Sequence, residues 1–363
     1  MFSKHPLYIE DVSLVSGLSL EWEKLKNSSM LISGATGLIG TFLVDVIMHK
    51  NLHDGLNCKI YALGRSVTKA QERFSDYFGD EHFIFTAHDI NTPLNGFSGK
   101  ECFSGKAGYV LHMASNTHPK DYAADPVGTI LTNIIGLNNL LRFSLEHSAE
   151  RFLFTSTVEV YGENRGDTEF FSEDYCGYID IAKARAGYPE AKRCGETLCQ
   201  SYLQQYGLDI VLPRLPRTYG STMQKTDSKA IAQFIYKAIA AEDIVLKSAG
   251  TQLYSYAYAA DSVSGILTTL FRGKTGEAYN IADENSDITL KDLAGIAAGY
   301  SGKRVVFEIP DALEKSGYSS ATKARLDSQK IKALGWTAHY DIKTGITRTI
   351  QILSQQLTCP RNS

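Results

Sequence analysis

No apolar run in this sequence approaches the length of a membrane span. The first residues, Met1 to Glu10, carry charge and proline where a secretion signal would have an apolar core. The expected location is therefore the cytoplasm, with no membrane partner. A dominant charge of one sign is also missing: 37 basic residues against 40 acidic ones leave a net charge of −3. That excludes a general field for nucleic acid or anionic lipid, so any anion must be bound locally. The six cysteines (Cys58, Cys102, Cys176, Cys194, Cys199 and Cys359) form no CxxC pair and no zinc spacing. They read as small hydrophobes or free thiols, and no metal site is expected. Solenoid repeats and low-complexity linkers are absent as well.

What is present is an ordinary globular composition, 43% hydrophobic and 21% charged over 363 residues, enough for one large or two modest domains. From Met30 onward, short apolar runs alternate with helical stretches. The runs are Met30–Ile32, Ile60–Leu63, Phe83–Phe85, Val110–Ala114, Phe152–Thr155 and Ile210–Leu212. They lack polar alternation, as strands covered on both faces should. Between the first two, Leu38, Phe42, Val46 and Ile39, Leu43, Ile47 recur at helical spacing. Strand and helix in repeated alternation predict an α/β fold, a Rossmann-type doubly wound parallel sheet.

After about Gly220 the texture changes. Helices are expected over Ala230–Ala240, Leu290–Tyr300 and Leu326–Leu334, with extended pieces at Ile244–Lys247 and Val305–Ile309. The expected organisation is an N-terminal extension (1–28), a dinucleotide-binding domain (29–220) and a smaller mixed α/β substrate domain (221–355), then a tail (356–363). Strands near Ile210 and Tyr256 are expected to return to the first sheet, the second within a segment near 254–265. In the extension, Leu18, Leu20, Trp22 and Leu25 could give one apolar helical face against the body or a partner subunit.

The segment Ser33-Gly34-Ala35-Thr36-Gly37-Leu38-Ile39-Gly40 leaves the first strand and enters the first helix. One glycine permits the turn, a second lets backbone approach a pyrophosphate, and a third lets helix and strand pack closely. The helix N-terminus adds free N–H groups and partial positive charge. In this context the triplet points to a dinucleotide, with Gly34, Thr36, Gly37, Leu38, Ile39 and Gly40 as its cradle. The second strand ends Leu63-Gly64-Arg65-Ser66, without the carboxylate that usually binds the adenosine ribose. Arg65 and Ser66 could instead meet a 2′-phosphate, so the cofactor is NAD or NADP, with a lean to NADP.

Tyr188 and Lys192 stand one helical turn apart on one face. Oxidising a carbinol requires removal of its O–H proton, which a tyrosinate can accept if an ammonium lowers its pKa from about 10. With 20 tyrosines in the chain the spacing alone is weak, and the context decides. Upstream, Phe152-Leu153-Phe154-Thr155-Ser156-Thr157-Val158-Glu159 is a buried strand ending in hydroxyls and a carboxylate, at the strand ends where open α/β sheets bind ligands.

These residues resemble the extended short-chain dehydrogenase/reductase family: the glycine turn, Ser156-Thr157-x-Glu159-Val160-Tyr161-Gly162, and Tyr188-x-x-x-Lys192. His112-Met113-Ala114-Ser115, Thr132-Asn133 and Pro213-Arg214 to Gly220 fit as well. Within it the chain looks most like UDP-glucuronate decarboxylases and their nucleotide-sugar epimerase and dehydratase relatives. The resemblance implies transient oxidation at the sugar C4 by a retained cofactor, then decarboxylation or epimerisation beside the ketone. Tyr188 would be the C4–OH base, Lys192 its electrostatic partner, Thr157 an aid at the same oxygen, and Glu159 the carboxylate facing carbons beyond C4. Asp89 and Ile90 would flank adenine, and Ala114 and Asn133 would line the cofactor groove. Ser115, Arg185, Arg217 and Tyr254 would meet the substrate, a nucleotide sugar, with Arg185 and Arg217 as anion contacts. A homodimer through the faces of Ile130–Leu141 and Ala191–Tyr202 is implied.

Three departures bear on the substrate. Val158 stands where the 4,6-dehydratases carry a proton-donating aspartic acid, which disfavours 4,6-dehydration. Arg217 stands where relatives carry asparagine. Tyr254 stands where the decarboxylases carry arginine, so one arginine is lost and another gained. Two other readings are an NADPH-dependent keto-sugar reductase, for which Glu159 would be dispensable, and a non-catalytic cofactor sensor, which would not need the tyrosine–lysine couple.

Overall fold

The computed structural model describes residues 2–94, 108–115, 124–308 and 322–358. Cys102, Cys359 and Ile309 lie outside these residues. The central sheet has 8 strands. Seven run in the order β11(Ala278–Asn280), β7(Ile210–Leu215), β5(Arg151–Phe154), β4(Tyr109–His112), β1(Ser29–Ser33), β2(Lys59–Gly64), β3(Phe83–Ala87), and β6(Ser156–Thr157) pairs beside β7. Every pairing is parallel. The six apolar runs read from the sequence are all strands of this sheet. Strand order reverses between β1 and β4, the switch point at whose carboxyl ends open α/β sheets bind ligands in a crevice.

Helix α1(Pro6–Ser16) was not expected; the sequence pointed to a helical face at Leu18–Leu25. Pro6 at the first turn and a His5 side-chain cap start the helix, and Gly17 ends it. Only Trp22–Leu25 continues as a short 3-10 turn. Tyr8, Val12 and Val15 are buried inward, against α2(Leu38–Asp54) and α8(Ala259–Arg272). This explains why both apolar series of α2 are needed: the sheet covers one side of α2 and α1 the other. The extension thus packs on the body of its own chain. Buried Asp11 accepts hydrogen bonds from Tyr258 (2.5 Å), Tyr340 (2.8 Å) and Arg348 (2.9 Å), which ties α1 to distant segments.

Two smaller sheets follow. β10(Leu253–Tyr258) pairs with β8(Arg217–Tyr219), β12(Asp287–Thr289) and β14(Lys323–Ala324); β9(Ile244–Leu246) pairs with β13(Val305–Phe307). The strand holding Tyr256 therefore does not return to the first sheet. Helix α8, which follows it, packs on β7, and β11 supplies the added edge strand. Of the expected C-terminal helices, Ala230–Ile239 and Leu290–Tyr300 form. Leu326–Leu334 does not: only Gln329–Lys332 is helical. Leu326 N–H is taken by Ser255 Oγ, and Asp327 caps Gln329 N–H, so the helix can begin only after it. No helix among the described residues is long and apolar enough to cross a membrane.

Candidate active site

The turn after β1 is held by backbone packing. Gly34 has φ +74°, and a Cβ there would lie 2.7–2.8 Å from the Met113–Ala114 backbone; one on Gly40 would lie 2.4 Å from the Gly34 carbonyl. Both positions exclude a side chain. Gly37 is the N-cap of α2 with no side-chain cap, and no acid stands in the first turn. The first N–H groups of α2 therefore face the crevice without a side-chain acceptor. Beneath them His112 Nδ1 and Ser33 Oγ are 2.8 Å apart, pinning β1 to β4. Burial pushes the His112 pKa well down, so the imidazole is neutral. A cradle closed to Cβ atoms and open at a helix N-terminus fits a dinucleotide pyrophosphate.

The residues expected to line the groove have the following surroundings. The Ser115 hydroxyl donates to Asn133 Oδ1 (3.1 Å), and Asn133 Nδ2 donates to the Thr129 carbonyl (2.8 Å). Asn133 is fully buried in a π-helical turn, Thr132–Gly136. Ile90 is buried against Gly136, whereas exposed Asp89 caps its own turn by accepting Asn91 N–H at 3.0 Å. Ser66 Oγ accepts from Lys69 N–H as the cap of α3(Val67–Phe74), so its hydroxyl is already engaged. Arg65 is exposed at the end of β2, and its charge, after burial and Arg73, helps lower the Lys69 pKa. Thr222 Oγ donates to the Leu38 carbonyl at 2.7 Å, so the loop after β8 is fastened onto the glycine turn.

The other wall is made of side chains. Thr157 caps a 3-10 turn, Val158–Tyr161, its Oγ accepting from Glu159 N–H at 3.4 Å. That turn sets buried Val158 and Glu159 on the lining of a cavity of about 90 Å³, which Arg185, Arg217, Tyr178 and Lys183 also line. Tyr188 lies on α6(Gly187–Tyr206), buried and hydrogen-bonded to Thr157. Burial foremost, then the Glu159 charge, pushes its phenol pKa up, while the bond to Thr157 and the Arg185 charge oppose this. The Lys192 ammonium donates to the Thr155 carbonyl at 2.8 Å and lies 4.4 Å from the Phe154 ring centroid. Burial lowers its pKa to about 7, against the pull of Glu196.

Of the two arginines expected to meet an anion, Arg185 is committed: its Nη2 donates to both Glu159 oxygens, at 2.9 and 2.8 Å. Arg217 lies 3.5 Å above the ring centroid of Tyr254. The sequence assigns no role to Glu196 or Arg214, although Arg214 stands in the Pro213 to Gly220 stretch. Glu196 accepts from Ser156 Oγ (2.5 Å) and from Arg214 Nε (2.9 Å), anchoring the strand end that carries Thr157. Among the described residues no group of three His, Cys, Asp or Glu could hold a metal.

Comparison with known proteins places this geometry. UDP-glucuronic acid decarboxylase 1 of Danio rerio is 28% identical over 335 residues, covering 92% of this chain and 74% of that protein. UDP-glucuronic acid decarboxylase 6 of Arabidopsis thaliana is 31% identical over 268 residues, 74% of this chain and 73% of that protein. Among solved structures, the UDP-glucose 4-epimerase of Thermotoga maritima with UDP-glucose superposes with a TM-score of 0.76 at 23% identity, over 91% of this chain and 99% of that one. The dTDP-glucose 4,6-dehydratase of Streptomyces venezuelae with NAD bound gives 0.76 at 22% identity, over 90% of this chain and 97% of that one. These two likenesses show the fold. The sequence profile of one family matches residues 30–282, from the glycine cradle past the tyrosine and lysine to the last strand of the central sheet. The chain belongs to the NAD dependent epimerase/dehydratase family.

Proposed function

We propose that this chain is a nucleotide-sugar-modifying enzyme that retains its cofactor, oxidises the sugar C4 transiently, and then decarboxylates or epimerises beside the ketone. The observation that carries this reading is the Tyr188–Thr157 hydrogen bond, with Glu159 close enough for its charge to act on the Tyr188 phenol. When bound, the dinucleotide supplies the hydride acceptor and returns the hydride. Tyr188 takes the proton of the C4 hydroxyl, and Thr157 holds the same oxygen. Lys192 fixes α6 to the end of β5 through the Thr155 carbonyl. A ketone at C4 acidifies the neighbouring C–H bonds and makes a C5 carboxylate a β-keto acid, able to lose CO2. In this reading Glu159 exchanges a proton at the carbon beyond C4. Val158 has no proton to give, which argues against loss of a C6 hydroxyl.

For the cofactor, Arg65 and Lys69 with no carboxylate at the β2 end support NADP over NAD. That same observation favours the second reading, reduction of a keto-sugar by exchangeable NADPH. Val127, Leu131 and Ile135 form an exposed apolar stripe along the helix before α6, and we assign it to a homodimer contact. Ile130 and Leu137 instead pack inward, against Gly187 and Gly195. A cytoplasmic location is kept with this reading.

The test is to mix purified protein with UDP-glucuronate and no added cofactor, following 340 nm absorbance and the sugar by NMR. A transient rise in absorbance with a decarboxylated or epimerised product supports the reading. An enzyme that turns over only keto-sugars, consuming added NADPH one for one, contradicts it.

A further inference from the structure

Two of the three departures noted in the sequence, Arg217 and Tyr254, touch. They lie on neighbouring strands, β8 and β10, in parallel register with Arg217 opposite Tyr256. The guanidinium of Arg217 sits 3.5 Å over the Tyr254 ring. Stacking of this kind holds the charge in place while leaving the in-plane N–H donors off the ring. One of them, Nη1, is buried and has no hydrogen-bond partner among the described residues. Buried donors in native structures are satisfied, and an exception marks a group awaiting a ligand or solvent.

The other two cations of the cavity are each paired with a carboxylate. Arg185 gives Nη2 to both oxygens of Glu159, and Lys183 pairs with Asp180 at 3.1 Å. Among the described residues Arg217 makes no ion pair, with Glu163 of the same lining or with any other carboxylate. It is the uncommitted cation of the pocket, preset by an aromatic platform. Arg217 and Glu159 line the same cavity.

Resting on the nucleotide-sugar reading above, we propose that Arg217, carried on Tyr254, is the receptor for an oxyanion of the substrate. The oxyanion is either a phosphate of the nucleotide diphosphate or a carboxylate of the sugar. Both accept the planar N–H fork of arginine. In this arrangement Tyr254 does not bind the anion; it positions the residue that does.

The experiment is calorimetric titration of the cofactor-loaded protein with UDP, UDP-glucose and UDP-glucuronate, in wild type, Arg217→Gln, Arg217→Lys and Tyr254→Leu. Melting curves check that each variant folds. Arg217→Gln should weaken binding by roughly 10- to 100-fold. If the oxyanion is the diphosphate, all three ligands lose alike; if it is the carboxylate, only UDP-glucuronate does. The salt dependence of the affected affinity should flatten in the same variant, which a merely structural role would not produce. Arg217→Lys keeps the charge without the planar stack, so it should recover part of the loss. Tyr254→Leu should show a smaller loss on the same ligands. Unchanged affinity of Arg217→Gln for all three ligands overturns the proposal. Failure of wild type to bind any of them contradicts the nucleotide-sugar reading itself.

Discussion

The two walls of the crevice are built from different material. On the glycine side backbone meets backbone: Gly34 and Gly40 have no room for a Cβ, and the N-terminus of α2 is left uncapped. On the other side the surface is assembled by long side chains from distant segments. Arg185 reaches Glu159, 26 positions back, and Arg217 lies on Tyr254 across two strands. The first wall is a fixed shape, suited to a part common to many reactions. The second is a set of pairings that single substitutions can rewire, which is where substrate choice would be decided.

The sharpest break in that contrast is Tyr188→Phe, which removes the proton acceptor between the walls. Turnover should fall by roughly 10²- to 10⁴-fold, while cofactor titration stays unchanged. Glu159→Gln comes next. Multiple-turnover rate should drop by about 10²-fold, yet cofactor reduction on mixing with substrate should persist at 340 nm. A plain carbonyl reductase would keep its rate. Gly34→Ala tests the other wall. With φ +74° and the Ala114 backbone in the way, it should lose about 1–3 kcal/mol of stability and weaken the cofactor roughly tenfold or more. Melting curves and cofactor titration would show both. If Glu159→Gln weakened the cofactor as much as Gly34→Ala does, the division of labour would be wrong.

The smallest effect concerns the packing behind the glycine wall. Asp45 on α2 is buried and hydrogen-bonded to Tyr8 of α1. Burial raises its carboxyl pKa to about 7. A folded-state value above the unfolded one means the group contributes stability below its ordinary range near 4, and that contribution is lost as pH rises through about 7. Asp45→Asn should therefore flatten the pH dependence of the melting temperature between about 4 and 7, a change of a few degrees at most. Melts across that range would show it.

The glycine wall was legible because its signals are local. A turn, a strand and a helix start occupy Met30–Gly40, and unbroken apolar runs marked β1 to β5 and β7 of the main sheet. The all-round apolar α2 already implied a cover, but that cover was expected at Leu18–Leu25 rather than at Pro6–Ser16, because buried Asp11 breaks the apolar face of α1. β10 was misplaced because an aromatic-rich strand fits a small sheet as well as the large one. The side-chain wall was legible as residues and not as pairs. Nothing near Arg185 in sequence says that Glu159 claims it, and nothing near Lys192 says that its ammonium reaches the Thr155 carbonyl. Such choices depend on which distant strand ends come together.

A cofactor held by a rigid backbone cradle, and reused through an internal redox cycle, should leave the cell with the protein. The most direct measurement is mass spectrometry of the small molecules released when freshly purified protein is denatured. A nicotinamide dinucleotide released in near-equal molar amount is the expected result, and its phosphate count would also decide between NAD and NADP. Protein that releases none, and takes up NADPH only when it is added, would contradict the retained-cofactor cycle and leave the exchangeable reductase in its place.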